Sequence, residues 1–382
     1  MLGSQRALFD MPREVSYFNA AGWSPLPLAT QEAGRAAVAR KGTPWKLDRA
    51  FADGQNERAR RAASGLIGAE PEDVALISSI GYGVAAAAKI LQVPRGARVL
   101  VLQDDHSSPV LEWQTRAEAG GYTIDTVATP ADGDWTAAVL AAIERPGAAP
   151  VAIASISWIH WSDGGLIDLA RVAAALRKYD AKFLIDATHG VGVMALDVKA
   201  LDPDIVLFPT YKWTLGPYGR AFMYVAKRHQ HGVPLEQTAY GRRAVNAEAS
   251  VYLADTRYVE SARRFDMGER DHFISMEMAS IGMELVAAWG SKPLVARLSM
   301  LTKRIADGVR GLGIDVPKTE NSAPHILSLG FKGGVSEALI KALAAEHIYV
   351  APRLGRMRIA PHAYNDEIDA DRLIAALKQH AG

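Results

Sequence analysis

Residues 183–225 read FLIDATHGVGVMALDVKALDPDIVLFPTYKWTLGPYGRAFMYV. Three short apolar runs stand in this stretch, Phe183–Asp186, Ile205–Phe208 and Ala221–Val225, each bounded by turn-forming residues. Unbroken apolar runs of this length mark strands buried on both faces of a sheet. Asp186 ends the first run, so its carboxylate projects at the carboxyl edge of the sheet, where α/β folds hold ligands. Lys212 follows the second run, within the bulky, weakly charged tetrad Thr210-Tyr211-Lys212-Trp213.

Working outward, the same rhythm continues upstream. Val74–Ile77 precedes an alanine-rich helix pattern at Gly83–Leu91; Arg98–Leu102 precedes Pro109–Ala119; Tyr122–Val127 precedes Trp135–Ile143; Val151–Ile156 precedes Leu169–Tyr179. Strands alternating with helices predict an α/β architecture with a mostly parallel sheet in a large domain. After about Arg270 the pattern changes to long helices, Phe273–Gly290 and Pro293–Leu312. Short strands at His325–Leu329 and Met357–Ile359 then alternate with helices at Ser336–Glu346 and Glu367–His380. This predicts three parts: an N-terminal segment over 1–30, a large domain over 31–270, and a smaller C-terminal α+β domain over 271–382.

The 382 residues carry 43 basic and 42 acidic side chains, so no phosphate-tracking basic surface or charged tail is expected. There is no cysteine, which excludes disulfides, thiolate metal sites, iron–sulfur clusters and a cysteine nucleophile. His229-Gln230-His231 lacks a third spaced ligand, and no metal is expected there. Arg6 and Asp10 interrupt any signal-peptide core, and the uncharged run between Arg145 and Asp163 holds two prolines. A cytoplasmic protein is the expectation.

The segment Ile77–Ala86 joins a strand to a helix and permits two readings. Gly81, Gly83 and Ala86 satisfy a G-x-G-x-x-A dinucleotide fingerprint, with Asp104 placed as a ribose-binding acid, which would make the chain a nicotinamide-dependent dehydrogenase. More generally, the turn offers free N–H groups at a helix start to a phosphate. Asp186 and Lys212 favour a different cofactor. An acid at one strand end keeps a pyridine nitrogen protonated, and a lysine at a neighbouring one forms a Schiff base, which suits pyridoxal 5'-phosphate.

Several ordered motifs carry a resemblance over almost the whole chain. They are Asp186-x-x-His189-x-x-Gly192 with Asp197, Asp204, Tyr211-Lys212 and Gly216-Pro217-x-Gly219; Tyr17–Gly22; Arg264–Glu269; and Arg358–Asn365. With these the sequence resembles the class V aminotransferase family of fold-type I pyridoxal-phosphate enzymes, nearest to isopenicillin-N-epimerase-like, C–S-lyase-like and kynureninase-like members. The resemblance implies that Lys212 is the Schiff-base lysine and proton shuttle, that Asp186 pairs with the pyridinium, and that His189 meets the phenolic oxygen. It also implies that His106 stacks on the ring, with Trp113 matching a family tryptophan. Backbone N–H groups of Gly81 and Tyr82 would hold the phosphate, with hydroxyls of Ser79, Thr210 and Tyr211. Ile80-Gly81-Tyr82 departs from the commoner T-T-E pattern at this point. Gly268 and Glu269 would border the phosphate of a neighbouring subunit, making a homodimer with active sites at its interface. Arg358 would clamp the substrate carboxylate, and Asn19 and His160 would line the substrate pocket.

The implied chemistry is external-aldimine formation with an α-amino acid and Cα–H abstraction. β-Elimination of the C–S lyase kind is favoured, ahead of transamination and then epimerisation; a non-catalytic cofactor-binding protein is the remote alternative beside the dehydrogenase. Only Leu354–Met357 separates Arg353 from Arg358, where desulfurases of the family carry a thiol. A persulfide-relay desulfurase is therefore not expected.

Overall fold

Seven strands form the central sheet of the computed structural model, which describes residues 2–380. They are β1 (Val74–Ile77), β2 (Arg98–Leu102), β3 (Thr123–Val127), β4 (Val151–Ser157), β5 (Lys182–Asp186), β6 (Ile205–Pro209) and β7 (Ala221–Val225). Their spatial order is β1-β7-β6-β5-β4-β2-β3, and only β7 runs against the rest. The sheet is therefore mostly parallel, as the unbroken apolar runs predict.

Alternation along each strand divides the core between the two faces. Phe183 and Ile185 of β5 join one hydrophobic cluster with Val206 and Phe208 of β6, while Leu184, Ile205 and Leu207 join the cluster on the opposite face. Register brings the strand ends level: Ser157 stands opposite Asp186, and Asp186 opposite Leu207. The ends of β4, β5 and β6 thus form one edge.

The topology removes the dinucleotide reading. In that fold the first two strands belong to adjoining βαβ units, whereas here the antiparallel β7 flanks β1, and β6, β5 and β4 separate it further from β2. Gly83 has a packing role, since a Cβ there would lie 2.4 Å from Leu207 Cδ2 and 2.8 Å from Ile77 Cδ1.

Beyond the sheet, Phe273–Trp289 packs against two helices that the apolar pattern does not announce, Leu28–Lys41 and Arg49–Ile67. The first buries only Thr30, Gly34 and Ala37, so it has no broad apolar stripe to read. A small antiparallel sheet joins Leu327–Gly330, Arg356–Ile359 and Ala351–Arg353. The N-terminal segment runs beside it: Ser16–Tyr17 pairs with Ile348–Tyr349, and Asn19 bridges to Ala360. Among the described residues no helix is long and apolar enough to cross a membrane.

Candidate active site

At the carboxyl edge of β4, β5 and β6 lies a cavity of about 300 Å³, lined by Ser79, Gly81, His106, Asp186, His189, Tyr211 and Lys212 among others. These seven are sequence-predicted residues, and the fold brings them to one place.

Lys212 is held by a tight turn after β6. Thr214 Oγ1 donates to the carbonyls of Pro209 (3.2 Å) and Thr210 (3.0 Å), and Gly216 N donates to Thr210 O (2.8 Å). Gly192 lets the neighbouring loop approach: its φ is +97°, and a Cβ there would lie 2.6 Å from the Trp213 carbonyl oxygen. Lys212 is 7% exposed, and burial, with Arg358 and Arg353 adding to it, pulls its amine down to about 7 despite Asp186.

His189 Nε2 lies 3.3 Å from Lys212 Nζ, and Trp213 Nε1 donates to His189 Nδ1 at 3.2 Å. The indole N–H is only a donor, so Nδ1 accepts and the neutral ring carries its proton on Nε2, directed at the lysine nitrogen. Burial, then the charge of Lys212, holds His189 well below its ordinary value, so this neutral tautomer prevails. Asp186 Oδ1 accepts from Thr188 N at 2.9 Å, while Oδ2 has no partner among the described residues. One carboxylate oxygen is thereby left to a ligand.

The turn expected to hold a phosphate differs in detail from that expectation. Ser79 caps the helix Ile80–Ile90, accepting from Tyr82 N at 3.1 Å, so Tyr82 N–H is engaged and the Ile80 and Gly81 N–H groups are the ones left open. Nothing but Ser79 Oγ at 4.0 Å lies near a Cβ position on Gly81. Thr210 is fully buried, and its hydroxyl donates to backbone carbonyls of Pro217 and Arg220, so it supports the turn. Gly268 donates its N–H to Glu236, and Glu269 is exposed with φ +54°; neither lines this cavity.

His106 begins the helix Ser107–Gly120, with its ring edge-on to Trp161 at 6.1 Å. Trp161 Nε1 donates to Asp104 O at 2.7 Å, which fixes the indole at the cavity wall. Arg358 is 2% exposed and has no carboxylate partner; it donates to Trp161 O (2.7 Å) and Asn19 Oδ1 (3.2 Å), and its Nε is buried without an acceptor. Burial brings its guanidinium down to about 9. His160, by contrast, stands behind the cavity. Its Nε2 faces Gln103 O (3.1 Å), its Nδ1 faces Ser162 and Asp163, and its ring stacks on Trp135 at 4.7 Å.

The sequence reading missed Asp105 and Ser157. Ser157 donates to Asp105 through N (3.1 Å) and Oγ (2.7 Å), and His106 N donates at 2.7 Å, tying the His106 loop to the end of β4. Burial, only partly offset by Ser157, raises the Asp105 carboxyl to about 6. The one available signal was its position directly before His106.

A lysine with a depressed amine, an acid with an open oxygen, a neutral imidazole and free helix N–H groups define an α/β enzyme built around a planar, phosphorylated pyridine cofactor. Residues 44–361 match the aminotransferase class-V family, and the chain belongs to that family. Pyridoxal 5'-phosphate is the family's cofactor, and the donor set of this site fits it. The chain is 25% identical over 337 residues to the uncharacterized aminotransferase YcbU of Bacillus subtilis (strain 168), covering 85% of this chain and 82% of that protein. In solved structures it resembles the cystine C–S lyase C-DES in complex with cysteine persulfide, with a TM-score of 0.86, 18% identity and coverage of 97% and 99%. A cysteine desulfurase from Thermococcus onnurineus NA1 superimposes with a TM-score of 0.85, at 18% identity and coverage of 98% and 97%.

Proposed function

We propose that this chain is a pyridoxal-phosphate enzyme that removes the Cα proton of an α-amino acid, with β-elimination of the C–S lyase kind as its reaction. The observation that carries this reading is Lys212 Nζ at 3.3 Å from His189 Nε2, with Asp186 on the adjacent strand end. Pyridoxal phosphate, when bound, supplies an electron sink for charge left at Cα. Asp186 Oδ2 would pair with the pyridinium, His189 Nε2–H with the phenolic oxygen, and the Ile80 and Gly81 N–H groups with the phosphate. His106 would cover the ring. Lys212, with an amine near neutrality, is suited to take a proton and return it. Arg358 and Asn19 would receive the α-carboxylate, for which an unpaired guanidinium is matched.

Elimination is favoured over a persulfide relay because the chain has no cysteine on which to carry sulfur. Glu269 and Gly268, which do not line the cavity of their own chain, would border the partner's phosphate in a homodimer. Transamination is the second reading, favoured by the likeness to YcbU over most of both chains.

Purified protein should show a visible absorbance band that borohydride bleaches and that Lys212→Ala lacks. An amino-acid panel followed for keto acid, ammonia and inverted enantiomer then separates the reactions. Ammonia with keto acid, released without an added keto-acid acceptor, is expected for elimination. Turnover only with an acceptor would replace it by transamination, and a colourless protein would sink the reading altogether.

A further inference from the structure

Three arginines stand on the hairpin of the small sheet, and their partners differ. Arg356 is neutralised by Asp315 at 2.8 Å. Arg358 meets only neutral acceptors. Arg353, half-buried, donates only to the carbonyl of its neighbour Pro352, at 2.7 Å. Arg358 stands opposite Ala351 in the ladder, so Arg353, two residues beyond Ala351, shares its face. Both guanidinium carbons lie 6.0 Å from the ring centroid of Trp161, the indole that walls the cavity. Two cations therefore stand at the same distance from one aromatic ring that lines the cavity. A cation–π contact only partly replaces an anion for a desolvated guanidinium.

Resting on the reading above, that the site takes an α-amino acid, we propose that its substrate carries a second anionic group on the side chain and that Arg353 receives it. The local charge balance favours such a partner. Lys212 and Asp186 line the cavity, Arg358 and Arg353 adjoin it through Trp161, and Asp186 would be engaged by the cofactor. The α-carboxylate neutralises Arg358 and leaves Arg353 without a counter-charge. Both arginines are near enough to Lys212 to depress its amine, which places their field inside the reacting region. An acidic amino acid meets this demand. So does a cysteine thioether whose departing thiol bears a carboxylate, and within the elimination reading that acid leaves with the sulfur.

The test uses cofactor-loaded protein and two isosteric pairs: L-aspartate against L-asparagine, and S-carboxymethyl-L-cysteine against S-carbamoylmethyl-L-cysteine. Dissociation constants are measured by calorimetry, together with the division of any rate effect between KM and kcat. Each acid should bind about tenfold or more tighter than its amide, the scale of one charge-assisted hydrogen bond. Arg353→Met should erase that ratio by raising the dissociation constant and KM of the acids alone, and Arg353→Lys should restore part of it. Equal binding of acid and amide, no binding of any of the four, or a ratio that survives Arg353→Met would overturn the inference. A protein that fails to take up pyridoxal phosphate would instead refute the underlying reading.

Discussion

His325 donates from Nε2 to the backbone carbonyl of His189 at 2.6 Å, so an imidazole of the C-terminal part holds the loop that carries a cavity residue. His362 makes the matching contact with the carbonyl of Trp213 at 3.1 Å, beside Lys212. Trp213 sits between them, edge-on to His325 at 4.4 Å and stacked on His362 at 5.6 Å. The backbone next to both His189 and Lys212 is thus gripped by two buried rings.

This grip predicts acid sensitivity. Burial lowers His325 to about 3 and His362 to about 4, against an unfolded value of about 6.5. Below about 6.5 the unfolded chain takes up protons that the folded chain refuses, so stability is full above that pH and declines as pH falls toward the folded values. Urea midpoints between pH 7.5 and 4.5 should therefore fall, and His325→Gln should flatten the slope while lowering the midpoint at neutral pH. An unchanged slope would assign the acid sensitivity to other groups.

Capture of pyridoxal phosphate by cofactor-free protein should follow the amine of Lys212. With burial pulling that amine to about 7, the capture rate should rise roughly tenfold per pH unit below 7 and level off above it, since only the neutral amine is nucleophilic. Arg358→Met removes a neighbouring positive charge and should move the inflection upward. Stopped-flow absorbance across pH 5.5–9 reads both, and an inflection near 10 would contradict the buried setting of the lysine.

Gly192→Ala tests the close approach behind the site. The substitution asks an L-residue to adopt φ +97° with its Cβ 2.6 Å from the Trp213 carbonyl oxygen. A loss of about 1–3 kcal/mol is expected from backbone strain alone, more with the clash. Thermal and urea unfolding would measure it. Gly96→Ala, at φ +79° with nothing within 4 Å, should cost less and serves as the control.

The loop Arg264–Glu269 depends on a buried ion pair. Arg60 Nη2 meets Asp266 Oδ2 at 2.8 Å with both side chains fully enclosed, and Leu76 N of β1 donates to Asp266 Oδ1 at 2.8 Å. Asp266→Asn removes the anion that Arg60 and Arg270 share, leaving Arg60 only Glu57 at 3.5 Å from its Nε, and should cost about 3–5 kcal/mol. If the loop completes a partner's site, the same variant should weaken cofactor retention at low protein concentration. Retention unchanged by both mutation and dilution would separate the loop from the site.

How much was legible depends on whether a signal was local. Asp186 and Lys212 announced themselves because each ends or follows an unbroken apolar run, and a strand end has a known address in an α/β sheet. His189 came with Asp186 through a three-residue spacing. Trp161, Asp105 and Ser157 carried no such mark. Asp105 reaches the site because β2 pairs with β4, and Ser157 because β4 pairs with β5, and pairing order is written in no single segment. His160 shows the converse: the resemblance put it in the pocket, yet the ring turns inward to Gln103, Ser162 and Trp135.

The sequence by itself determined which residues could form strands, which strand ends carried an acid and a lysine, and that the chain has no cysteine thiol of its own. Those are properties of composition and short-range periodicity, which survive without knowledge of the fold. The tertiary structure decided that β7 separates β1 from the parallel strands, ending the dinucleotide reading. It also decided that Ser79 takes the Tyr82 N–H, and that Arg353 and Arg358 adjoin Trp161 while Arg356 finds Asp315. Such facts depend on which distant segments share a low-dielectric space, because a charge or N–H group acquires its role only from the partner that burial leaves it.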